Sequence, residues 1–256
     1  MNLELEGRVV LVTGGAKGIG AAITRALVAE KAHPVVIDRD VDAISDIRTE
    51  IGTGIALVAD LRNPDACRDA VTDAVREFGA IDAVVNNAGV NDSVGLERGD
   101  PSRYRESLRT NLYHYYDIAH YALPHLKASR GAIVNIASKT AVTGQGNTSG
   151  YASAKGAILA LTREWAAELV KYGIRVNAIL PAEVMTPLYR QWLETFADPE
   201  AMKAAILERI PLEHRMTLPE EIASMACFLL SARAAHITGQ HMYVDGGYVH
   251  LDRALT

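Results

Sequence analysis

Tyr151 and Lys155 stand four residues apart, and Ser138 precedes the tyrosine by thirteen. A spacing of four on a helix puts two side chains on one face. An ammonium beside a phenol favours the phenolate and draws the tyrosine pKa toward neutrality, which suits a general base acting on an alcohol. Ser138 follows an apolar run over 131–137, so its hydroxyl can hold a substrate oxygen next to that phenol. A second element supplies the rest of the chemistry. The loop Thr13-Gly14-Gly15-Ala16-Lys17-Gly18-Ile19-Gly20 is built to receive a dinucleotide, and a dinucleotide beside a phenol and a serine reads as hydride transfer.

The elements that must position these groups are legible in the pattern. Apolar runs over 8–12, 34–37, 54–59, 81–85, 131–137, 174–180 and 241–244 read as strands, short and continuous as buried parallel strands are. Helical composition fills 21–31, 64–78, 101–126, 150–172 and 219–230, with Pro64 suited to a first turn. Strand and helix alternate without a linker, repeat or low-complexity tract. The pattern predicts one α/β domain over 1–256, a doubly wound Rossmann-type fold with a seven-stranded parallel sheet and helices on both faces. Ligands in such sheets bind at the carboxyl ends of the strands. Residues 183–215 follow one of those ends and read as a helical excursion forming a substrate lid.

The glycine loop lies between a strand and a helix, the context that makes a glycine triplet meaningful. Gly14, Gly18 and Gly20 allow a tight turn and close approach of backbone to a pyrophosphate, which would sit on the free N–H groups of the helix that follows. Asp38 stands eighteen residues beyond Gly20, at the end of the second strand. A carboxylate there can bind both adenosine ribose hydroxyls and repels a 2′-phosphate, which favours NAD over NADP. Lys17 and Arg39 are cations that could pair with that phosphate, so NADP is the expected second cofactor.

Bulk composition narrows the function classes. The net charge is −5 and mixed along 256 residues, without the basic stripe of a nucleic-acid surface. No apolar run approaches the roughly 18 residues needed to span a bilayer, and Met1–Glu6 lacks the basic and apolar regions of a signal peptide. Two cysteines, Cys67 and Cys227, have no redox or zinc spacing and read as reduced thiols of a cytoplasmic protein. His114, His120 and His125 are spaced six and five apart, which does not put them on one helix face, so no metal is expected.

Four segments make the chain similar to the short-chain dehydrogenase/reductases along essentially its whole length. They are the loop 13–20, Asn86-Asn87-Ala88-Gly89, the series Asn111, Ser138, Tyr151, Lys155, and Pro181-Ala182-Glu183-Val184-Met185-Thr186-Pro187. The resemblance implies Tyr151 as general acid/base, Ser138 as substrate orienter, and Lys155 on the nicotinamide ribose. It implies that Asn111 holds a relay water and that Thr186 meets the nicotinamide carboxamide. It adds Ile19, Leu61, Asn87, Ala88, Gly89, Pro181 and Val184 to the cofactor contacts, and Asp60 at the adenine; an N-cap for the helix near Pro64 is the other reading of Asp60. Ala182 stands where the family more often has glycine. The segment 181–187 and the tail 244–256 further resemble bacterial L-fucose dehydrogenases of this family. The resemblance also implies a homotetramer, with the tail, including Asp252, Arg253 and Leu255, near subunit contacts and active sites.

The substrate is read from polar residues around the expected pocket. Asn91 and Asp92 follow the Asn-Asn-Ala-Gly turn, Lys139 follows Ser138, Gln145 and Asn147 precede Tyr151, and Glu183 starts the lid. A steroid or acyl pocket would be mainly apolar. Asp92, Gln145, Asn147 and Glu183, with Tyr189 or Trp192 against a ring face, suit a sugar better. The leading expectation is oxidation of a sugar's anomeric hydroxyl, L-fucose or a related aldose, to the lactone. A dehydrogenase of steroids or other secondary alcohols, or a carrier-protein ketoreductase, is the alternative. A nucleotide-binding regulator without catalysis is the remote one, disfavoured by the intact Asn111, Ser138, Tyr151 and Lys155.

Overall fold

The computed structural model describes residues 2–251; Asp252, Arg253 and Leu255 lie outside them. The strands are β1 (Val9–Thr13), β2 (His33–Asp38), β3 (Ile55–Val58), β4 (Ala83–Asn86), β5 (Ala132–Ile136), β6 (Arg175–Pro181) and β7 (His241–Val244). They form one sheet in the order β3-β2-β1-β4-β5-β6-β7, with every neighbouring pair parallel. Between them run α1 (Gly18–Ala29), α2 (Val41–Arg48), α3 (Pro64–Phe78), α4 (Pro101–Leu108), α5 (His114–Ser129), α6 (Ser149–Leu169), α7 (Pro187–Leu193), α8 (Pro199–Glu208) and α9 (Pro219–Leu230).

Helices cover both faces, so the inner strands β1, β4 and β5 are buried along their whole length. Alternation along β1 divides the core in two. Val10 and Val12 pack with Ile23 and Leu27 of α1 and Ile222 of α9. Val9 and Leu11 pack with Val71 of α3, Ile118 of α5 and Ile158 of α6. The result is one Rossmann-type domain, as the alternating pattern predicts. The chain reverses its winding between β1 and β4, and the crevice at that switch point opens at the strands' carboxyl ends.

Two local outcomes differ from the sequence reading, and one fills in what it left open as a long helix or two. Helix α2 was not expected; its signal is the Asp40 carboxylate capping the Ala43 N–H at 3.0 Å, with Ala43, Ile44 and Ile47 buried against Val36. The helical stretch after Pro101 is α4 and α5 joined by a π-helical turn, Arg109–Tyr113. Asp60 is not the N-cap of α3, because Asn63 caps it by accepting from the Asp65 N–H at 3.0 Å. Among the described residues, no helix is long and apolar enough to cross a membrane, and no group of three or more His, Cys, Asp or Glu could hold a metal ion.

Candidate active site

A cleft of about 1280 Å³ runs along the carboxyl ends of the strands. Its floor at the switch point is the glycine loop. Gly14 and Gly18 have φ of +60° and +54°, and a Cβ on Gly14 would lie 2.9 Å from Ala88 Cα, so side chains are excluded there. No side chain caps the start of α1, which leaves its first N–H groups for a phosphate. Gly14, Lys17, Gly18 and Ile19 line the cleft. Gly20 does not: a Cβ there would meet Gly14 O at 2.0 Å, so this glycine allows the turn to pack. Asn87 ties the loop to the end of β4 by donating to Thr13 O and Gly14 O, both at 3.0 Å. A dinucleotide's phosphates fit this cradle.

At the adenosine end, Asp38, Arg39, Asp60 and Leu61 line the cleft. Asp38 accepts from the Asp40 N–H at 3.1 Å and the Ala16 N–H at 3.4 Å. Lys17 forms an ion pair with Asp40. Asp60 receives the Arg62 guanidinium at 2.6 Å, which holds its carboxyl down at about 2. Three charged residues that the sequence offered freely to the cofactor, Asp38, Lys17 and Asp60, thus have protein partners.

The reacting centre is built on β5, α6 and the π-helical turn. Tyr151 and Lys155 share one face of α6 and line the cleft with Ser138. Ser138 follows β5 and caps a short 3-10 turn, its Oγ accepting from Thr140 N at 3.2 Å and Thr140 Oγ1 at 3.1 Å. The hydroxyl proton is left to point at the phenol or a substrate. Lys155 Nζ donates to Ile136 O at 2.7 Å and to the Tyr115 hydroxyl at 3.0 Å, and lies 5.5 Å from the Tyr151 ring centroid. Burial draws the Lys155 ammonium down to about 7. Burial also pushes the Tyr151 phenol up to about 12, against a hydrogen bond with Ser138 that favours ionisation. This corrects the expectation of a tyrosine brought toward neutrality by its lysine. The ammonium is committed to Ile136 and Tyr115, and loss of solvent dominates at the phenol.

Asn111 stands behind the wall, fully buried. Its Oδ1 accepts from the Val90 N–H at 2.7 Å, and its Nδ2 donates to Ser107 O at 3.0 Å. Three and four residues on, His114 and Tyr115 complete the back of the site. His114 lines the cleft, pairs through Nε2 with Thr110 O at 3.1 Å, and leaves Nδ1 without a protein partner. Burial draws it down to about 4, so it is neutral. The sequence reading missed both in these roles; their spacing from Asn111 on one helix was the available signal.

On the substrate side, Gln145, Asn147, Glu183, Tyr189 and Trp192 all line the cleft, as do Pro181, Val184 and Thr186. Thr186 caps α7, accepting from the Tyr189 N–H at 3.2 Å. Trp192 meets Tyr189 edge-on at 5.1 Å between ring centroids. Asp92 is a correction: it lies outside the lining and accepts from Ser107 Oγ at 3.0 Å. Glu183 is paired with Lys139 and accepts from the Tyr189 hydroxyl at 2.7 Å. Tyr248, unforeseen as a site residue, closes this end, with Lys139 Nζ 4.3 Å from its ring centroid.

The chain is similar to known proteins along most of its length. A family model described as enoyl-(acyl carrier protein) reductase matches residues 14–249. The chain is 36% identical over 248 residues to L-fucose dehydrogenase of Bos taurus, covering 96% of this chain and 91% of that one. The L-fucose dehydrogenase similarity is thus met by a mammalian protein rather than the bacterial ones expected. The chain is also 32% identical over 252 residues to the 3-oxoacyl-[acyl-carrier-protein] reductase FabG of Thermotoga maritima, covering 96% and 100%. The crystal structure of Cj0485 dehydrogenase superposes with a TM-score of 0.96 at 44% identity, covering 100% of this chain and 99% of that one. The fold, the glycine cradle and these matches together place the chain in the short-chain dehydrogenase/reductase family, oxidoreductases that act on CH–OH groups with NAD(P).

Proposed function

We propose that the protein oxidises a hydroxyl of a neutral sugar with NAD as the preferred cofactor, the anomeric hydroxyl of L-fucose or a related aldose being the leading substrate and the lactone the product. The observation that carries this reading is the lining of the cleft around Ser138 and Tyr151. It combines amide, carboxylate and ammonium groups at Gln145, Asn147, Glu183 and Lys139 with the rings of Tyr189, Trp192 and Tyr248, donors and acceptors for hydroxyls beside faces for a pyranose. The name of the bovine relative supports it. The likeness to a carrier-protein reductase keeps a ketoreductase as the competitor, but a buried ion pair in the wall suits a polyol better than an acyl chain.

A bound nicotinamide supplies the hydride acceptor. Ser138 holds the reacting oxygen, and Tyr151 removes its proton as the C–H hydride leaves. Lys155 binds the nicotinamide ribose. Asp38 takes the adenosine ribose hydroxyls, while Lys17, held by Asp40, is withdrawn from a 2′-phosphate, which favours NAD. Asp60, Leu61, Asn87, Ala88, Gly89, Pro181, Val184 and Thr186 frame the cofactor. Residues 183–215, with α7 and α8, act as the lid. A cytoplasmic homotetramer is the assembly we assign to this reading. The test is absorbance at 340 nm with a panel of aldoses, steroid alcohols and 3-ketoacyl thioesters, each with both nicotinamide cofactors. Turnover confined to thioesters or steroids refutes the sugar reading.

A further inference from the structure

Lys139 immediately follows Ser138, and Glu183 stands two residues beyond β6. The fold brings them together as an ion pair in the wall of the cleft. Each residue is at least nine-tenths buried, Lys139 at 8% and Glu183 at 9% exposure. The second carboxylate oxygen accepts from the Tyr189 hydroxyl at 2.7 Å, and the ammonium lies over the Tyr248 ring. A charge taken out of water is strongly disfavoured unless it meets its opposite. A lone Lys139 would therefore draw an anionic group from the ligand, and a lone Glu183 would repel one. As a pair they cancel, and their remaining hydrogen-bonding capacity suits hydroxyl groups, which can donate to the carboxylate and accept from the ammonium.

We propose that Glu183 is a specificity-determining residue that neutralises Lys139 and so confines the site to uncharged polyols, excluding substrates that carry a carboxylate. This deepens the sugar reading and rests on it. Arg209 also lines the cleft, but it is common to the enzyme and the variants below, so its effect cancels in their ratios.

The experiment compares the wild type with Glu183→Gln, which keeps the side-chain length and an acceptor for Tyr189. Two readouts are taken with NAD present. One is kcat/KM for D-galactose against D-galacturonate, a matched neutral and anionic pair. The other is the Kd of D-galactonate from quenching of tryptophan fluorescence, Trp192 lying in the cleft. Glu183→Gln is expected to shift the kcat/KM ratio toward the uronate at least tenfold and to tighten D-galactonate at least tenfold. The double variant Lys139→Gln, Glu183→Gln should return both to within about threefold of the wild type. A ratio and Kd that move less than threefold in Glu183→Gln, or a gain for the anion that persists in the double variant, overturns the proposal. Should Glu183→Gln not fold, Lys139→Gln leaves the carboxylate alone and should weaken D-galactonate; unchanged binding there also overturns it. A wild type that oxidises no aldose sinks the sugar reading, while the D-galactonate measurement still decides the role of Glu183.

Discussion

Lys155 should make the protein less stable near neutrality than in mild alkali, in the absence of cofactor. Burial draws its ammonium from 10.5 down to about 7, so the unfolded chain holds a proton that the folded chain sheds across that interval. Where the unfolded state binds more protons, stability rises with pH. The penalty is absent above 10.5, grows as pH falls, and is complete below the folded value, where it is worth about 5 kcal/mol at 1.36 kcal/mol per pH unit. Linkage across the same interval gives about 4 kcal/mol at pH 7 and about 2 kcal/mol at pH 9. Lys155 should therefore contribute a gain of about 2 kcal/mol between those values, and Lys155→Met should lose it. The other shifted groups are common to both proteins and cancel in the comparison. His114, drawn down to about 4, acts below the window. Cys67 and Cys227, pushed up from 9.0 to about 12, and Tyr151, pushed up from 10.0, act from its upper edge with the opposite sign. Urea unfolding of both proteins at pH 7 and 9, at one protein concentration because assembly also shifts stability, measures the difference. Equal pH slopes in the two proteins would show that Lys155 keeps its ordinary pKa in the fold.

Other perturbations probe the remaining parts of the site. Tyr151→Phe keeps the ring and removes the proton acceptor; turnover should fall by about 10²–10⁴ while NADH fluorescence still reports binding, and near-normal turnover would refute its role as base. Asp40→Asn releases Lys17 for a 2′-phosphate; the pair is exposed and screened by solvent, so kcat/KM for NADP relative to NAD should rise only a few-fold, and an unchanged ratio would show that Lys17 does not reach the cofactor. Gly20→Ala forces a methyl into Gly14 O and should lower stability by about 1–3 kcal/mol in thermal unfolding, a shift that an unaltered Tm would rule out. Removing residues 249–256 should weaken the tetramer and raise the sugar KM with little change in NAD affinity; sedimentation and kinetics identical to the full chain would exclude the tail from both roles.

Most of what depends on local pattern was readable from the chain, and what depends on a distant partner was not. The strands, α3 and α9 follow from runs of apolar residues and from the prolines that open helices. The four-residue step from Tyr151 to Lys155 puts both side chains in the cleft as expected. Helix α2 was missed because it is short, eight residues with three buried apolar positions. The deeper misses concern charge. Lys17, Lys139 and Lys155 could each be assigned to the site from type and position, yet what each cation does depends on a group 23, 44 and 40 residues away respectively: Asp40, Glu183 and Tyr115. A lysine near a 2′-phosphate argues for NADP until a carboxylate takes it. A lysine beside a catalytic serine reads as one polar group among several until the fold pairs it with Glu183. A lysine one turn from a tyrosine argues for a phenolate until burial and a second phenol claim the ammonium. Specificity in this site is therefore set less by which charges are present than by which of them the sheet crossings bring into contact, because a paired charge and a lone one in the same low-dielectric wall select opposite ligands.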